Sequence, residues 1–406
     1  MGFPVGANIV SADGTETYID DPDAVLEHAQ HGIAEYRYDY SPDLLPEPTG
    51  DLSLWRYRNL LPLPDGPISY PLQIGGTPLH TVPALREMLG MPELWIKDET
   101  RTPTGSNKDR ATALVLEHAI RDDRPVVSCA STGNVAASLA IGAASCGRKA
   151  VIFVPSTTSD TKLRLMRLAG ATVLQVRQGY DAAFKLSRQA AREFGWYDRN
   201  TGYNPLTTEA KKTVALEIWE QLGRELPDVM VSPVGDGPTL AALAKGFREL
   251  VACGAADRVP RIIGVQAEGC QPLVTAWQSG RPIQPSEPDT LADGIAVEMP
   301  VSGPSVLRDV RESGGDFVAV PDNALLEAIN TMAANAGLLA EPAGAAGFAG
   351  LLAAVEAGKI DRNERVAVLM TGTLFKNMGF GRAFTKPFEI DADLEQVRTI
   401  VNANHG

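Results

Sequence analysis

The chain has 406 residues, 44% of them apolar and 21% charged, with a formal net charge of −13, a make-up that suits a well-cored globular protein. No run approaches the roughly 18 apolar residues of a membrane span, and a net acidity spread along the chain argues against nucleic acid as the partner. The four cysteines and five scattered histidines form no metal-ligand spacing, so no metal is expected.

The first residues, MGFPVGANIVSADG, lack the basic region and apolar run of a secretory leader. Together with cysteines that read as reduced and buried, this predicts a cytoplasmic protein. Residues 1–70 read as an irregular extension rich in Pro, Asp and Tyr, with one helical candidate in DAVLEHAQHGIAEY. SLWRYRNLLPL (53–63) reads as a segment docked on the main body, because Trp55, Tyr57, Leu60 and Leu61 favour burial. From residue 93 the chain alternates. ELWIKDE is a strand, then a helix follows Lys108; PVVSCA is a strand and NVAASLAIGAASCG a helix. KAVIFVP, TKLRLMRLAG, TVLQV and DAAFKLSRQAAREFG continue the alternation, with WYDRN a further short strand. A second series follows: VALEIWEQLG (helix), DVMVSPV (strand), TLAALAKGFRELVACG (helix), RIIGVQAEG and FVAV (strands), NALLEAINTMAANAG and GAAGFAGLLAAVEAG (helices) and RVAVLMTG (strand). Apolar strands of four to seven residues between longer helices predict an α/β protein of two domains, each a mostly parallel twisted sheet flanked by helices.

Four turns carry candidate chemistry. In RTPTGSNKDRAT (101–112) Lys108 stands at a helix start, a poor place for a cation, with Ser106 or Asn107 as the candidate cap. Ser131-Thr132-Gly133-Asn134 lies between a strand and a helix and reads either as an anion cradle of free amides and hydroxyls or as a plain capped turn. Val234-Gly235-Asp236-Gly237-Pro238-Thr239 occupies a similar turn. Its two glycines allow close backbone approach, and Pro238 suits the first helical position, so a phosphate seat is readable. Asp236 would have to point away from that phosphate. The rival is a dinucleotide fingerprint, which breaks at Leu240. Thr371-Gly372-Thr373 ends an apolar strand, where ligands gather in open α/β folds. A lysine, two anion cradles and a strand-end hydroxyl together make the set that pyridoxal phosphate requires: an amine for its aldehyde, a helix start for its phosphate, one partner for its ring nitrogen and a cradle for a substrate carboxylate.

At these motifs the chain resembles the fold-type II pyridoxal-phosphate enzymes and, among them, the threonine synthases. PTGSNKDRAT is similar to their cofactor-lysine motif, ASTGNVAASLA to their substrate-carboxylate loop and SPVGDGPTL to their phosphate loop; EPAGAAG, LMTGT, LWRYRNLLPL and IGGTPLH also match. The resemblance covers roughly residues 50–385. It implies that Lys108 is the Schiff-base lysine and the base for the substrate's α-proton. Asn134 would meet the cofactor's phenolic oxygen; Ser131, Thr132 and Gly133, with Asn134, would hold the substrate carboxylate. Gly235, Asp236, Gly237 and Thr239 would take the phosphate, Thr371 would face the ring nitrogen, and Glu341 would stand near the cofactor. A neutral hydroxyl at the ring nitrogen suits elimination and replacement at Cβ better than transamination. The resemblance further implies a homodimer, a large cofactor-binding domain of residues 71–110 and 206–406, a small substrate-carboxylate domain of 111–205, and an N-terminal extension of 1–70.

There are departures. Asn107 replaces the family's usual phenylalanine. In NTGYNPLTTEAKKT (200–213) the residues that help grip the substrate's phosphate in the family are replaced by Thr201, Gly202 and Thr207, leaving Lys211, Lys212 and Arg199 as the cations able to substitute. The expected reaction is conversion of O-phosphohomoserine and water to threonine and phosphate. The alternative is β-elimination or β-replacement on serine, threonine or an activated serine. A nucleotide-binding dehydrogenase is disfavoured by the broken fingerprint, and a catalytically silent relative by the intact Lys108.

Overall fold

A computed structural model describes residues 4–10, 15–19, 33–48, 50–376, 378–380 and 387–405. Three sheets organise the described chain. β1 (Gly6–Val10), β2 (Glu16–Ile19) and β3 (Ile33–Arg37) form an antiparallel sheet in the order β2-β1-β3. This changes the reading of the extension: the C-terminal end of the helical candidate DAVLEHAQHGIAEY is a strand, because β3 pairs with β1 from Gly6 opposite Arg37 to Val10 opposite Ile33. The earlier part of that candidate lies outside the described residues. SLWRYRNLLPL folds as a 3-10 segment, Leu54–Leu60, that buries Leu54, Tyr57 and Leu60, with Leu61 beside it; Trp55 is half-buried.

The large sheet takes β4 (Leu79–His80), β5 (Leu94–Asp98), β10 (Val229–Pro233), β11 (Arg261–Ala267), β12 (Asp316–Val320) and β13 (Val366–Met370) in the order β12-β11-β10-β13-β5-β4. Every pair is parallel except β4 with β5. The small sheet, β6 (Val126–Ala130), β7 (Lys149–Pro155), β8 (Thr172–Val176) and β9 (Tyr197–Asp198), is fully parallel in the order β8-β7-β6-β9. The central strands β5, β10 and β13 are buried along their whole length, which explains the wholly apolar β13 and the apolar starts of β5 and β10. Two helices absent from the sequence expectation, Pro272–Ser279 and Gly303–Glu312, follow β11.

The strand order puts the chemistry together. β10, β13 and β5 are neighbours, so the loops after their carboxyl ends emerge side by side: 234–237, 371–373 and 99–107. In the small sheet the loops after β6 and β9, residues 131–133 and 199–204, also leave adjacent strands. Ligands in open α/β sheets bind beyond such strand ends.

Candidate active site

Lys108 is the first residue of the helix Lys108–Arg121. Asn107 occupies the cap position but its side chain makes no cap bond to the helix. It bridges instead: the Lys108 ammonium donates to Asn107 Oδ1 at 2.9 Å, and Asn107 Nδ2 donates to Thr239 Oγ1 at 3.1 Å. The lysine loop is thereby tied to the start of the helix Pro238–Ala252. The two residues after Lys108 fix the loop. Asp109 accepts from the Thr104 amide and hydroxyl, both at 2.7 Å. Arg110 is fully buried against Glu99 (2.6 Å) and Glu217 (2.7 Å). On its other side the loop pairs with the strand end at 371–373. The Asn107 amide donates to the Thr371 carbonyl, the Thr373 amide to the Gly105 carbonyl, and Ser106 bridges Gly372.

Burial pushes the Lys108 amine down to about 8; Arg199 and Lys376 reinforce the shift, while Glu341 and Asp236 oppose it. A far larger fraction of the amine is therefore neutral and nucleophilic near neutral pH than for an exposed lysine.

The turn 234–239 enters the helix Pro238–Ala252 with Gly237 at φ +100, where a Cβ would lie 2.8 Å from Val306 and 2.9 Å from Ser302. Only glycine suits that backbone. Asp236 Oδ1 accepts the Val301 amide at 2.8 Å. Burial raises its carboxyl to about 6 against the pull of that amide and of Lys211 and Lys108.

The 131–134 turn opens the helix Asn134–Ser145, and Ser131 Oγ accepts the Gly133 amide at 3.2 Å. Ser131, Thr132 and Asn134 are half-buried and Gly133 is exposed, so the turn faces an open cleft. Asn134 Nδ2 donates to Glu341 Oε1 at 2.6 Å, joining the two sheets' loops across that cleft. Burial raises the Glu341 carboxyl, opposed by Lys376 and by Asn134. Thr371 is buried and its hydroxyl reaches the Ala343 carbonyl at 3.4 Å.

Hydrogen bonds and the charges felt by Lys108 thus tie together Lys108, Thr239, Asp236, Asn134, Glu341 and the strand end 371–373. One neighbour was missed. Lys376, in the turn after Thr371-Gly372-Thr373, donates to Asn134 Oδ1 and feels the field of Glu341. An isolated lysine after a strand-end turn carries no local signal of such a position. The substitutes considered for the altered 200–213 segment also separate here. Lys212 is locked between Glu209 (2.6 Å) and Glu249 (2.8 Å), whereas Lys211 and Arg199 act electrostatically on Lys108.

The site fits an aldehyde-bearing phosphate ester on its own terms. It offers a depressed amine, a glycine-lined helix start with free amides and a strand-end hydroxyl, all on neighbouring loops.

The profile of the family described as pyridoxal-phosphate dependent enzyme matches residues 70–372. The threonine synthase of Methanocaldococcus jannaschii is 36% identical over 91% of this chain and 93% of its own length. That of Methanosarcina acetivorans is 37% identical over 91% and 92%. Among solved structures, threonine deaminase isoform 2 of Solanum lycopersicum superposes with a TM-score of 0.63 at 22% identity, covering 81% of this chain and 83% of that one. Maize serine racemase gives 0.62 at 20% identity, covering 81% and 93%. At those identities the two structures speak to the fold alone, which is that of the fold-type II pyridoxal-phosphate enzymes.

Proposed function

We propose, from the premise that this chain belongs to the pyridoxal-phosphate-dependent enzymes and within them to the threonine synthase family, that it is a lyase converting O-phosphohomoserine and water to threonine and phosphate. Pyridoxal phosphate, when bound, supplies an electron sink conjugated to the substrate's α-carbon. The chain's own residues do the rest. Lys108 would anchor the cofactor, and its amine would take the α-proton. The amides of Gly235, Asp236, Gly237 and Thr239 would hold the cofactor's phosphate, the neutral hydroxyl of Thr371 would serve its ring nitrogen, and Glu341, bonded to Asn134, would orient that side chain toward it. Ser131, Thr132, Gly133 and Asn134 hold the substrate carboxylate. The observation that carries the reading is the chain of bonds from the depressed Lys108 amine through Asn107 to Thr239 at the helix start.

The same reading keeps the cofactor on residues 71–110 and 206–406 and the substrate carboxylate on 111–205. It takes the enzyme as a cytoplasmic homodimer. Four free cysteines support the compartment, and no helix among the described residues is long and apolar enough to cross a membrane.

A second reading, β-elimination or β-replacement on serine, threonine or an activated serine, is favoured by the neutral residues Thr201, Gly202 and Thr207. One assay divides the two. Cofactor-loaded protein is given O-phosphohomoserine and, separately, threonine and serine. Phosphate release with threonine as product supports the first reading. Keto acid from threonine or serine, with no phosphate released, supports the second.

A further inference from the structure

Two buried basic side chains near Lys108 have no anionic partner among the described residues. Lys211 and Lys212 are consecutive in the helix Leu206–Gln221, so they leave it in different directions. Lys212 enters the carboxylates of Glu209 and Glu249. Lys211 is 2% exposed and makes no hydrogen bond or ion pair among the described residues. Burial and the charges of Lys108 and Arg199 push its amine well below the usual lysine range against the pull of Asp236, so it takes up its proton most readily when an anion arrives beside it. Arg199, fully buried, donates only to neutral oxygens: Thr112 Oγ1 at 3.2 Å, Thr201 Oγ1 at 2.8 Å and the Lys108 carbonyl at 3.4 Å.

The nearby carboxylates are otherwise engaged. Asp236 accepts the Val301 amide, Asp109 holds Thr104, and Asp198 holds the Asn200 amide and pairs with Arg188. Burying a charge without a counter-ion is expensive, so this pair is poised for an anion that arrives with a ligand. The helix start at 235–239 is a separate seat, on a different element and linked to Lys108 through Asn107 and Thr239.

We propose that Lys211, backed by Arg199, forms a second anion seat that grips the distal phosphate of the substrate. The proposal rests on the reaction assigned above. It makes Lys211 the residue that distinguishes a phosphorylated substrate from a hydroxy amino acid. Thr207, one turn earlier on the same helix face, is neutral and spends its hydroxyl on the Asn204 carbonyl at 2.8 Å, so position 211 supplies the charge that 207 lacks.

The test compares the cofactor-loaded wild type, Lys211→Gln, and Lys211→Gln combined with Thr207→Arg. For each, KM and kcat for phosphate release from O-phosphohomoserine, cofactor affinity by equilibrium dialysis, and binding of inorganic phosphate by calorimetry are measured. Lys211→Gln is expected to raise KM about 10- to 100-fold, the value of a charge-assisted bond, to weaken inorganic phosphate comparably, and to leave cofactor affinity unchanged. The double variant recovers part of the loss. Unchanged KM and phosphate binding would overturn the proposal, as would a loss confined to cofactor affinity, which would assign Lys211 to the cofactor's own phosphate. If the wild type releases no phosphate from O-phosphohomoserine, the reaction assignment fails by itself. The seat is then decided by inorganic phosphate: binding at least tenfold weaker in Lys211→Gln sustains it, and equal or absent binding in wild type and variant sinks it.

Discussion

At the scale of single residues, Lys108 shows how position creates reactivity. Burial and the positive charges of Arg199 and Lys376 disfavour its ammonium, so the amine reaches half deprotonation at about pH 8 instead of the ordinary 10.5. Covalent uptake of pyridoxal phosphate by the cofactor-free protein is therefore expected to quicken as pH rises and to level off above about 8. The growth of the visible absorption band follows it. An ordinary lysine would keep accelerating toward 10.5. Lys108→Ala is expected to stay colourless, with no band for borohydride to bleach. Asn107 has a matching role, because its amide side chain accepts from Lys108 and donates to Thr239. A phenylalanine there could make neither bond; the one from Lys108 belongs to the free amine, so the loss of the bond to Thr239 is what bears on the loaded protein, and Asn107→Phe is expected to weaken cofactor retention in dialysis by roughly 1 kcal/mol.

At the scale of elements, the site depends on turns whose backbones tolerate no side chain. Gly105 sits at φ +67, and a Cβ there would lie 2.5 Å from Thr373 Cγ2, at the contact between the lysine loop and the strand end after β13. Gly237 plays the same part in the turn 234–239. Gly237→Ala is expected to weaken pyridoxal phosphate about 10- to 100-fold, in line with the roughly 1–3 kcal/mol of strain at such positions. Equilibrium dialysis reads the loss, and circular dichroism shows the helices retained. The residues flanking Lys108 are explained at this scale too: Asp109 ties the loop through Thr104, and Arg110 roots the helix start in Glu99 and Glu217.

At the scale of the whole molecule, buried ion networks join parts distant in sequence. Tyr38, just after β3, donates to Glu209 at 2.8 Å and lies under the ammonium groups of Lys212 and Lys245. Glu35 in β3 pairs with Arg248 and Arg308, and Arg308 with Asp309. The N-terminal sheet is thus fastened to the helices Leu206–Gln221, Pro238–Ala252 and Gly303–Glu312. Glu209→Gln leaves Lys212 and Lys245 sharing Glu249, and is expected to cost about 3–5 kcal/mol in urea unfolding. Burial pushes the Glu209 and Glu217 carboxyls up, but Lys212 and Lys245 at the first, and Arg110 and Lys97 at the second, outweigh it and hold both below 4.5. Their contribution to stability is present above about 4.5 and is lost as pH falls through the lowered folded values. Unfolding midpoints measured in a series of acidic buffers are expected to decline there, and the decline should be smaller in Glu209→Gln.

The sequence by itself determined the α/β class and the main strand and helix alternation from residue 93, and it marked Lys108 and its glycine turns as candidates, because period, glycine placement and capping are local properties. It did not reveal β3, since IAEYR is short and its partner β1 lies more than twenty residues away. It did not single out Lys376, nor separate Lys211 from Lys212, two adjacent lysines alike in sequence. Only the tertiary structure, by ordering β10, β13 and β5 side by side and by placing Glu209 and Glu249 against one lysine and not the other, decided which charges are neutralised and which face the amine. Apart from the i,i+3 pair of Glu209 with Lys212, such pairings join positions tens to hundreds of residues apart, and their energies depend on burial and distance, which no local pattern encodes.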